Sequence, residues 1–254
     1  MTYRAVTQAR ELAEARLPDL DKVIGQVVRR RTWFTADHHF GHGRIVGYCD
    51  RPWWTTDLTK YTEHLRKVTR ADELGIPHWP DVAAMEEALV AAWNARVAPG
   101  DRVFHLGDFA WWHLPVEEVR RIRARLNGEI ILIRGNHDQD PKTKKLTAAV
   151  SEVFPNTRHA RMLTLEGRRI LMYHYGPHSW GQGERARKKH RTRVAIYHPA
   201  AWKPDLLLHG HSHCHGGLVV REWEGIPTVD VGVEGWGYAP VSLDEILERV
   251  EKER

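Results

Sequence analysis

Five short apolar runs in this chain each end on a cluster of Asp, Asn or His. The runs are rich in β-branched and aromatic residues, which predicts buried strands rather than helices. The runs and their clusters are Thr32–Ala36 before Asp37-His38-His39, Arg102–Leu106 before Gly107-Asp108, Ile130–Arg134 before Gly135-Asn136-His137-Asp138, Ile170–Tyr173 before His174, and Leu206–Leu208 before His209-Gly210-His211-Ser212-His213. Ligands of open α/β sheets bind beyond the carboxyl ends of the strands. We therefore expect these clusters to converge on one site.

The clusters together supply side chains that can bind two metal ions. An isolated Asp before a loop is most often a cap or turn residue, and an isolated His is more often hydrogen-bonded than metal-bound. The coincidence of five clusters in one chain reverses that expectation. The clusters therefore supply seven candidate ligands among their Asp, Asn and His residues.

Helical patterns alternate with the predicted strands. Asp81–Val97 has apolar residues mostly on one face and precedes Pro99-Gly100, and Val116–Leu126 reads as a basic amphipathic helix. This alternation predicts an α/β fold. At 254 residues the chain can bury a full core. We expect an N-terminal helical extension over residues 1–30 and a single domain over residues 31–254.

The formal net charge is +5, and the densest basic run covers residues 185–193. The run is either a solvated face or a basic rim that gathers anionic substrates. Cys49 and Cys214 are the two cysteines, too few for a disulfide framework. Cys214 could offer a thiolate ligand, but a hard site of oxygen and imidazole favours a free thiol. No signal-peptide core or membrane span is visible, so we expect a cytoplasmic protein, of a bacterium or of the host if a phage encodes it.

The ordered clusters resemble the five-block signature of the calcineurin-like metallophosphoesterase superfamily over residues 33–213. Two further stretches resemble a smaller bacterial and phage branch of that superfamily. They are Phe40-Gly41-His42 with Asp50-Arg51-Pro52-Trp53, and Asp230–Trp236.

The resemblance implies a four-layer α-β-β-α sandwich, with two mixed β-sheets flanked by helices and an active site at the carboxyl ends of the strands. It also implies how the ligands divide between two divalent ions: Asp37, His39, Asp108 and His213 for one, and Asn136, His174, His211 and the shared Asp108 for the other. Manganese is the first expectation, and iron, cobalt, nickel and zinc stay open because such mixed shells accept all of them.

By the same resemblance, a hydroxide bridging the two metals attacks phosphorus in line. His137 would stabilise charge or protonate the leaving oxygen, and Asp138 would orient His137. His42 and Arg44 are candidates for binding substrate, although Arg44 could equally pair with a surface acid. Trp111 and Trp112 either pack in the fold or stack against a nucleobase.

These features predict a metal-dependent hydrolase of phosphodiesters, of nucleotide or cyclic-nucleotide type, with weaker monoesterase activity. A small-molecule phosphomonoesterase and a non-catalytic interaction scaffold are the alternatives. Protein phosphatases carry further Asp and Arg where this chain has Phe109-Ala110-Trp111. We expect a phosphoester small molecule or nucleotide as the partner, and neither a membrane nor stably bound nucleic acid. The oligomeric state is left open.

Overall fold

The structure, a computed structural model, describes residues 30–176, 203–214, 220–223 and 225–253. Its strands are β1 (Thr32–Thr35), β2 (Trp54–Thr55), β3 (Arg70–Ala71), β4 (Pro77–Pro80), β5 (Arg102–His105), β6 (Glu129–Leu132), β7 (Ala160–Leu165), β8 (Arg168–Tyr175), β9 (Leu206–Gly210), β10 (Val220–Trp223), β11 (Ile226–Asp230) and β12 (Val241–Ser242). Its α-helices are α1 (Arg44–Tyr48), α2 (Val82–Asn94), α3 (Val116–Arg125), α4 (Ala148–Val153) and α5 (Leu243–Lys252). Short 3-10 turns cover Leu58–Lys60, Glu63–Val68 and Val233–Trp236.

Two mixed sheets form the body of the domain. The first has the strand order β12-β1-β5-β6, in which β1, β5 and β6 are parallel and β12 is antiparallel. The second has the order β10-β11-β9-β8-β7, with a parallel centre and antiparallel edges. A smaller sheet has the order β2-β4-β3. The predicted α/β class with two mixed sheets is confirmed.

Alternate residues of the first sheet point into two different cores. Trp33 and Val103 pack with the helices, whereas Phe34 and Phe104 face the second sheet, with ring centroids 5.8 Å apart. This division follows from the two-residue period of a strand, which sends successive side chains to opposite faces. Every strand of the first sheet therefore needs apolar residues on both faces, as the uninterrupted apolar runs of the sequence indicate.

Helices α2, α3 and α4 cover the outer face of the first sheet. Met85, Leu89 and Trp93 of α2 recur at four-residue spacing and are fully buried there. The Asp81 side chain caps α2 by accepting the Ala84 N–H at 3.0 Å. Both predicted helices are therefore present, and α2 ends three residues earlier than predicted.

Three of the four expected layers, one of helices and two of strands, lie within the described residues. The second helical layer stays a prediction, and the predicted N-terminal extension apart from Arg30 and the basic run at 185–193 lie outside the described residues. The domain boundaries stay a prediction. No helix in the described ranges combines the length and apolarity needed to cross a bilayer.

A pair of histidines lies inside the first core. His38 and His105 are fully buried, and His38 Nδ1 is 3.0 Å from His105 Nε2. The Gly107 N–H donates to His105 Nδ1, so the hydrogen of His105 is on Nε2 and points to His38. Burial lowers the pKa of His105 to about 3. The pair therefore belongs to the core, as expected for two histidines outside the ligand set.

We predict that the metal-free protein loses stability as pH falls from about 6.5 toward 3, partly through His105. The unfolded chain takes up a proton near the ordinary pKa of 6.5, whereas folded His105 stays neutral down to about 3. Each such proton changes the free energy of unfolding by about 1.4 kcal/mol per pH unit. Urea unfolding at about pH 7 and about pH 5 should show a shallower pH slope for His105→Gln.

The matched control is His78→Gln on β4, which should leave the wild-type slope unchanged. An equal slope for His105→Gln and wild type would contradict the buried neutral state of His105.

Candidate active site

The first two ligand clusters meet because the strands before them are parallel and in register. Thr35 of β1 lies beside His105 of β5. Beyond the strand ends, the Asp37 N–H donates to the Gly107 carbonyl and the His39 N–H donates to the Asp108 carbonyl, each at 3.0 Å. Two loops that are far apart in sequence are thus joined by backbone hydrogen bonds at the sheet edge.

Most of the predicted ligands have a left-handed backbone conformation. Non-glycine residues adopt positive φ rarely, and such strain is concentrated at functional sites. The five ligands concerned are Asp37 (φ 59°), His39 (φ 53°), Asp108 (φ 56°), His211 (φ 71°) and His213 (φ 48°). The surrounding hydrogen bonds hold these turns in place, and their conformation aims the side chains inward.

Asp37, His39 and His213 form one candidate metal site. Their ligand atoms lie within 4.8 Å of one another. The His39 and His213 rings stack with centroids 5.1 Å apart. Within the described residues, Asp37 Oδ1 and both ring nitrogens of His39 are buried without a hydrogen-bond partner. Unpaired buried polar atoms are costly, and a cation bound between them removes that cost.

Asp108, His174 and His211 form the second candidate site, also within 4.8 Å. His174 donates its Nδ1–H to the Leu106 carbonyl at 2.7 Å, which leaves a lone pair on Nε2. That nitrogen lies 3.1 Å from Asn136 Oδ1 and 3.5 Å from Asp108 Oδ2. Three electron-pair donors therefore converge, an arrangement that a cation stabilises.

Asp108 lies between the two sites. Its Oδ2 is 3.6 Å from His39 Nε2 and 3.5 Å from His174 Nε2, while its Oδ1 accepts the His137 N–H at 2.7 Å. A single carboxylate oxygen thus faces one ligand of each site. This position supports the proposal that Asp108 is shared.

The electrostatics of the site favour cations. Burial, and then the charge of Asp108, raises the pKa of Asp37, and burial followed by Asp138 raises the pKa of Asp108. Burial lowers the pKa of His39 and His174, and it lowers that of His211 to about 4. These three imidazoles are therefore neutral ligands, and burial disfavours the charged form of both carboxylates. The donor set fits two divalent ions.

Two glycines in the blocks are required by close approach. A Cβ on Gly135 would lie 2.1 Å from Asp108 Oδ1, and a Cβ on Gly210 would lie 2.5 Å from Asp37 Oδ2. Any side chain at either position would displace a carboxylate.

The structure corrects the role expected for Asp138. Its fully buried carboxylate accepts the backbone N–H groups of Asp108, Phe109 and Gly135 at 2.9, 3.1 and 2.7 Å rather than orienting the His137 ring. Asp138 therefore holds the second and third loops together. His137 Nδ1 is buried with no hydrogen-bond partner in the described parts of the chain, and the ring lines a cavity over the metal ligands.

That cavity has a volume of about 460 Å³. His42 and Arg44 both line it, as expected of substrate-binding residues. The His42 ring lies 5.2 Å from the His137 ring and stacks on Trp111 at 5.7 Å. Burial, and then the neighbouring His137, lowers the pKa of His42 to about 3. Tyr48, Trp111, Trp112 and His113 form further parts of the wall.

Three residues beside the ligands had no role in the sequence interpretation. Asp230 accepts the Ser212 hydroxyl hydrogen and the Cys214 N–H, the latter at 3.2 Å, and so fixes the loop that carries His211 and His213. Glu234 contacts both Arg51 and His213. All three lie in the two stretches that resemble the smaller branch, and that resemblance was the one available signal.

Two further groups of possible ligands, each with its ligand atoms within 4.8 Å of one another, share a histidine with the first site: His39 with His42 and His137, and Cys49 with His213 and Glu234. Cys49 and Cys214 are free thiols, and burial raises the pKa of both. His209 is buried with its Nδ1 3.0 Å from the Gly210 carbonyl oxygen. His178, His190 and His215 lie outside the described residues.

Comparison with known proteins identifies similar chains. The family profile of the calcineurin-like phosphoesterase superfamily domain matches residues 78–235, more than half of the chain. An uncharacterized protein of Methanocaldococcus jannaschii is 26% identical over 227 residues, covering 88% of this chain and 93% of that protein. The gene 66 protein of Mycobacterium phage L5 is 25% identical over 231 residues, covering 86% and 93% respectively. A solved structure of a protein of unknown function from Aquifex aeolicus has the same fold, with a TM-score of 0.55 and 24% identity over 87% of this chain and 99% of that one.

We predict that Asp108→Asn lowers the metal content of both sites, because one oxygen of Asp108 faces a ligand of each. His211→Ala should empty only the second site. Metal per chain, measured by mass spectrometry after dialysis against limiting Mn²⁺, checks both expectations.

The exposed Asp244→Asn on α5 is the control and should keep both ions. Retention of two ions by Asp108→Asn would contradict the shared role of Asp108.

Proposed function

The chain belongs to the calcineurin-like phosphoesterase superfamily, and from this membership we propose that it is a metal-dependent hydrolase of phosphodiesters. Nucleotide or cyclic-nucleotide esters are the proposed substrate class, and monoesters are the weaker one. The proposal depends on one observation, the position of Asp108 Oδ2 between His39 of one ligand cluster and His174 of the other.

Two divalent ions at these clusters would supply positive charge to the phosphate oxygens and would polarise a water molecule for attack. Asp37, His39 and His213 would hold one ion, while Asn136, His174 and His211 would hold the other. Two carboxylates cannot cancel the charge of two divalent ions, so the filled site keeps the positive charge that binds a phosphate ester. Mn²⁺ is our first choice of metal.

His137 is the proposed proton donor or charge stabiliser at the leaving oxygen. Its ring lines the cavity, and burial lowers its pKa to about 4. An anionic ester beside the ring opposes that effect and favours the protonated form. Protonation and substrate binding would therefore be coupled at His137, which suits a group that hands a proton to a departing alkoxide.

The cavity wall favours diesters. Arg44 is the one Lys or Arg among the described residues of the lining. A diester carries a single negative charge, whereas a monoester approaches two, so one arginine beside the metals matches the diester better. A volume of about 460 Å³ also leaves room for substituents on both sides of the phosphorus.

Aromatic side chains in the same wall support a nucleotide substrate. Trp112 and Tyr48 line the cavity, and Tyr48 is 57% exposed. Exposed aromatic faces stack against nucleobases regardless of sequence. The complete ligand set disfavours the scaffold alternative, because a chain that binds without catalysis has no need to keep seven ligands together, five of them at positive φ.

The test is the initial rate on bis(p-nitrophenyl) phosphate and p-nitrophenyl phosphate, first for metal-stripped protein and then with added Mn²⁺. We expect metal-dependent cleavage of the diester well above that of the monoester. Asp108→Asn purified in parallel excludes a contaminating phosphatase. Faster cleavage of the monoester than of the diester would make the protein a phosphomonoesterase. No cleavage of either ester would favour the scaffold.

We predict that Trp112→Ala raises KM for thymidine p-nitrophenyl phosphate by about tenfold while leaving methyl p-nitrophenyl phosphate unaffected. The two diesters share a leaving group and differ in the base, and loss of one stacked base costs about 1–3 kcal/mol. Steady-state kinetics on both esters measure the difference.

Trp223→Ala on β10, outside the cavity lining, is the matched control and should behave as wild type on both esters. An equal change of KM on both esters in Trp112→Ala would show that Trp112 does not contact the base.

A further inference from the structure

We propose that Arg51 and Glu234 are positioning residues for the metal site of Asp37, His39 and His213. Glu234 fixes the His213 ring, and Arg51 holds both Glu234 and the turn that carries Asp37. The inference rests on the two-metal site of the proposed function and does not depend on the substrate.

Glu234 selects which nitrogen of His213 faces the metal. Its Oε1 lies 2.9 Å from His213 Nδ1, so that nitrogen donates its hydrogen to the carboxylate. The lone pair is then on Nε2, the nitrogen that would coordinate the metal. A carboxylate on the far nitrogen of a metal-bound histidine fixes its tautomer and ring orientation and strengthens it as a ligand.

Arg51 connects Glu234 to the first ligand turn. The Arg51 side chain is fully buried, and its Nε and Nη2 donate to Glu234 Oε1 at 3.0 and 2.6 Å. Nη2 also donates to the Asp37 carbonyl at 2.7 Å, and Nη1 donates to the His38 carbonyl at 2.9 Å. One guanidinium therefore supports the left-handed turn at Asp37 and the carboxylate that orients His213.

The local fold brings Glu234 to this position. The Val233–Trp236 turn follows β11 and lies against the end of β1, where the Val233 N–H donates to the Ala36 carbonyl at 3.2 Å. A Cβ on Gly232 would lie 2.9 Å from Asp37 Oδ2, so the glycine permits this contact. The loop that carries Glu234 supplies none of the seven candidate ligands, but it brings the Glu234 carboxylate into contact with His213.

The two candidate metal sites differ in the group that accepts the hydrogen bond from the histidine ligand. In the second site, His174 donates its Nδ1–H to the Leu106 carbonyl, a neutral backbone acceptor. In the first, His213 has a carboxylate that is itself paired with a buried arginine. Removing the charge of Glu234 should therefore weaken the first site and leave the second unchanged. A pair that only stabilises the fold would not make this distinction.

The experiment titrates metal-free protein with Co²⁺, followed by calorimetry and by the visible absorption of the bound ion. We expect wild type to bind two ions. We expect Glu234→Gln to bind one of them about 10- to 100-fold more weakly, with the other unchanged. The exposed Glu248→Gln on α5 is the matched control and should match wild type at both sites.

Glu234→Gln leaves Arg51 buried without its charged partner, which destabilises folds. The double variant Arg51→Met, Glu234→Gln removes that charge and should show the same selective loss. The Tm of each metal-free variant separates folding from metal binding. The proposal would be overturned if the variants bound Co²⁺ with wild-type affinity at both sites and showed only a lowered Tm. An equal loss of Co²⁺ affinity at both sites would also overturn it.

The rate of hydrogen exchange at the Nδ1–H of His213, measured by NMR, provides a second readout. The Nδ1–H of His213 should be protected from exchange in metal-loaded wild type and in Glu248→Gln, and it should exchange faster in Glu234→Gln. Wild-type protein that binds no Co²⁺ would overturn the two-metal site together with this inference. Wild-type protein that binds two Co²⁺ ions but hydrolyses neither ester would overturn only the proposed function.

Discussion

Two buried carboxylates at the ends of adjacent parallel strands set the conditions for the rest of this site. Asp37 and Asp108 are almost fully excluded from solvent, and burial raises the pKa of both carboxyl groups. An interior of this kind is stable with its carboxylates charged only if cations lie between them. The neutral histidines around them add ligands without adding charge that competes with the ions. The parallel register of β1 and β5 is what brings the two carboxylates together.

The site also explains the strain in its loops. Positive φ at Asp37, Asp108 and His211 is unfavourable for each residue alone, and the fold compensates with directed hydrogen bonds. The Asp138 carboxylate accepts three backbone N–H groups, and Asp230 accepts the Cys214 N–H next to the His211–His213 loop. Arg51 donates a hydrogen bond to the Asp37 carbonyl. These polar groups are buried and satisfied, so they rigidify the turns rather than destabilise the core. Ligand geometry is therefore set before any ion arrives.

The parts of this structure that were predictable from sequence depend on local periodicity. Apolar runs of three to five residues identified β1, β5 and β9, and apolar residues mostly on one face identified α2, because burial imposes a period on each element. Asp138 could not be assigned correctly, since its backbone partners depend on how two loops meet. The contact between Arg51 and Glu234 spans 183 positions, and no local pattern encodes such a pairing. The cavity wall formed by Tyr48 and Trp112 likewise depends on the tertiary arrangement of separate loops.

The dispersal of the ligands along the chain has a consequence for biogenesis. The first ligand is Asp37 and the last is His213, and the group that orients His213 comes later still, at residue 234. A nascent fragment that ends before residue 213 lacks part of the candidate ligand set, and one that ends before residue 234 lacks the carboxylate that contacts His213. Non-local contacts of this kind form late in folding. Metal binding at the proposed site would therefore depend on the assembly of strands that are distant in sequence, because the candidate ligands follow five separate strands.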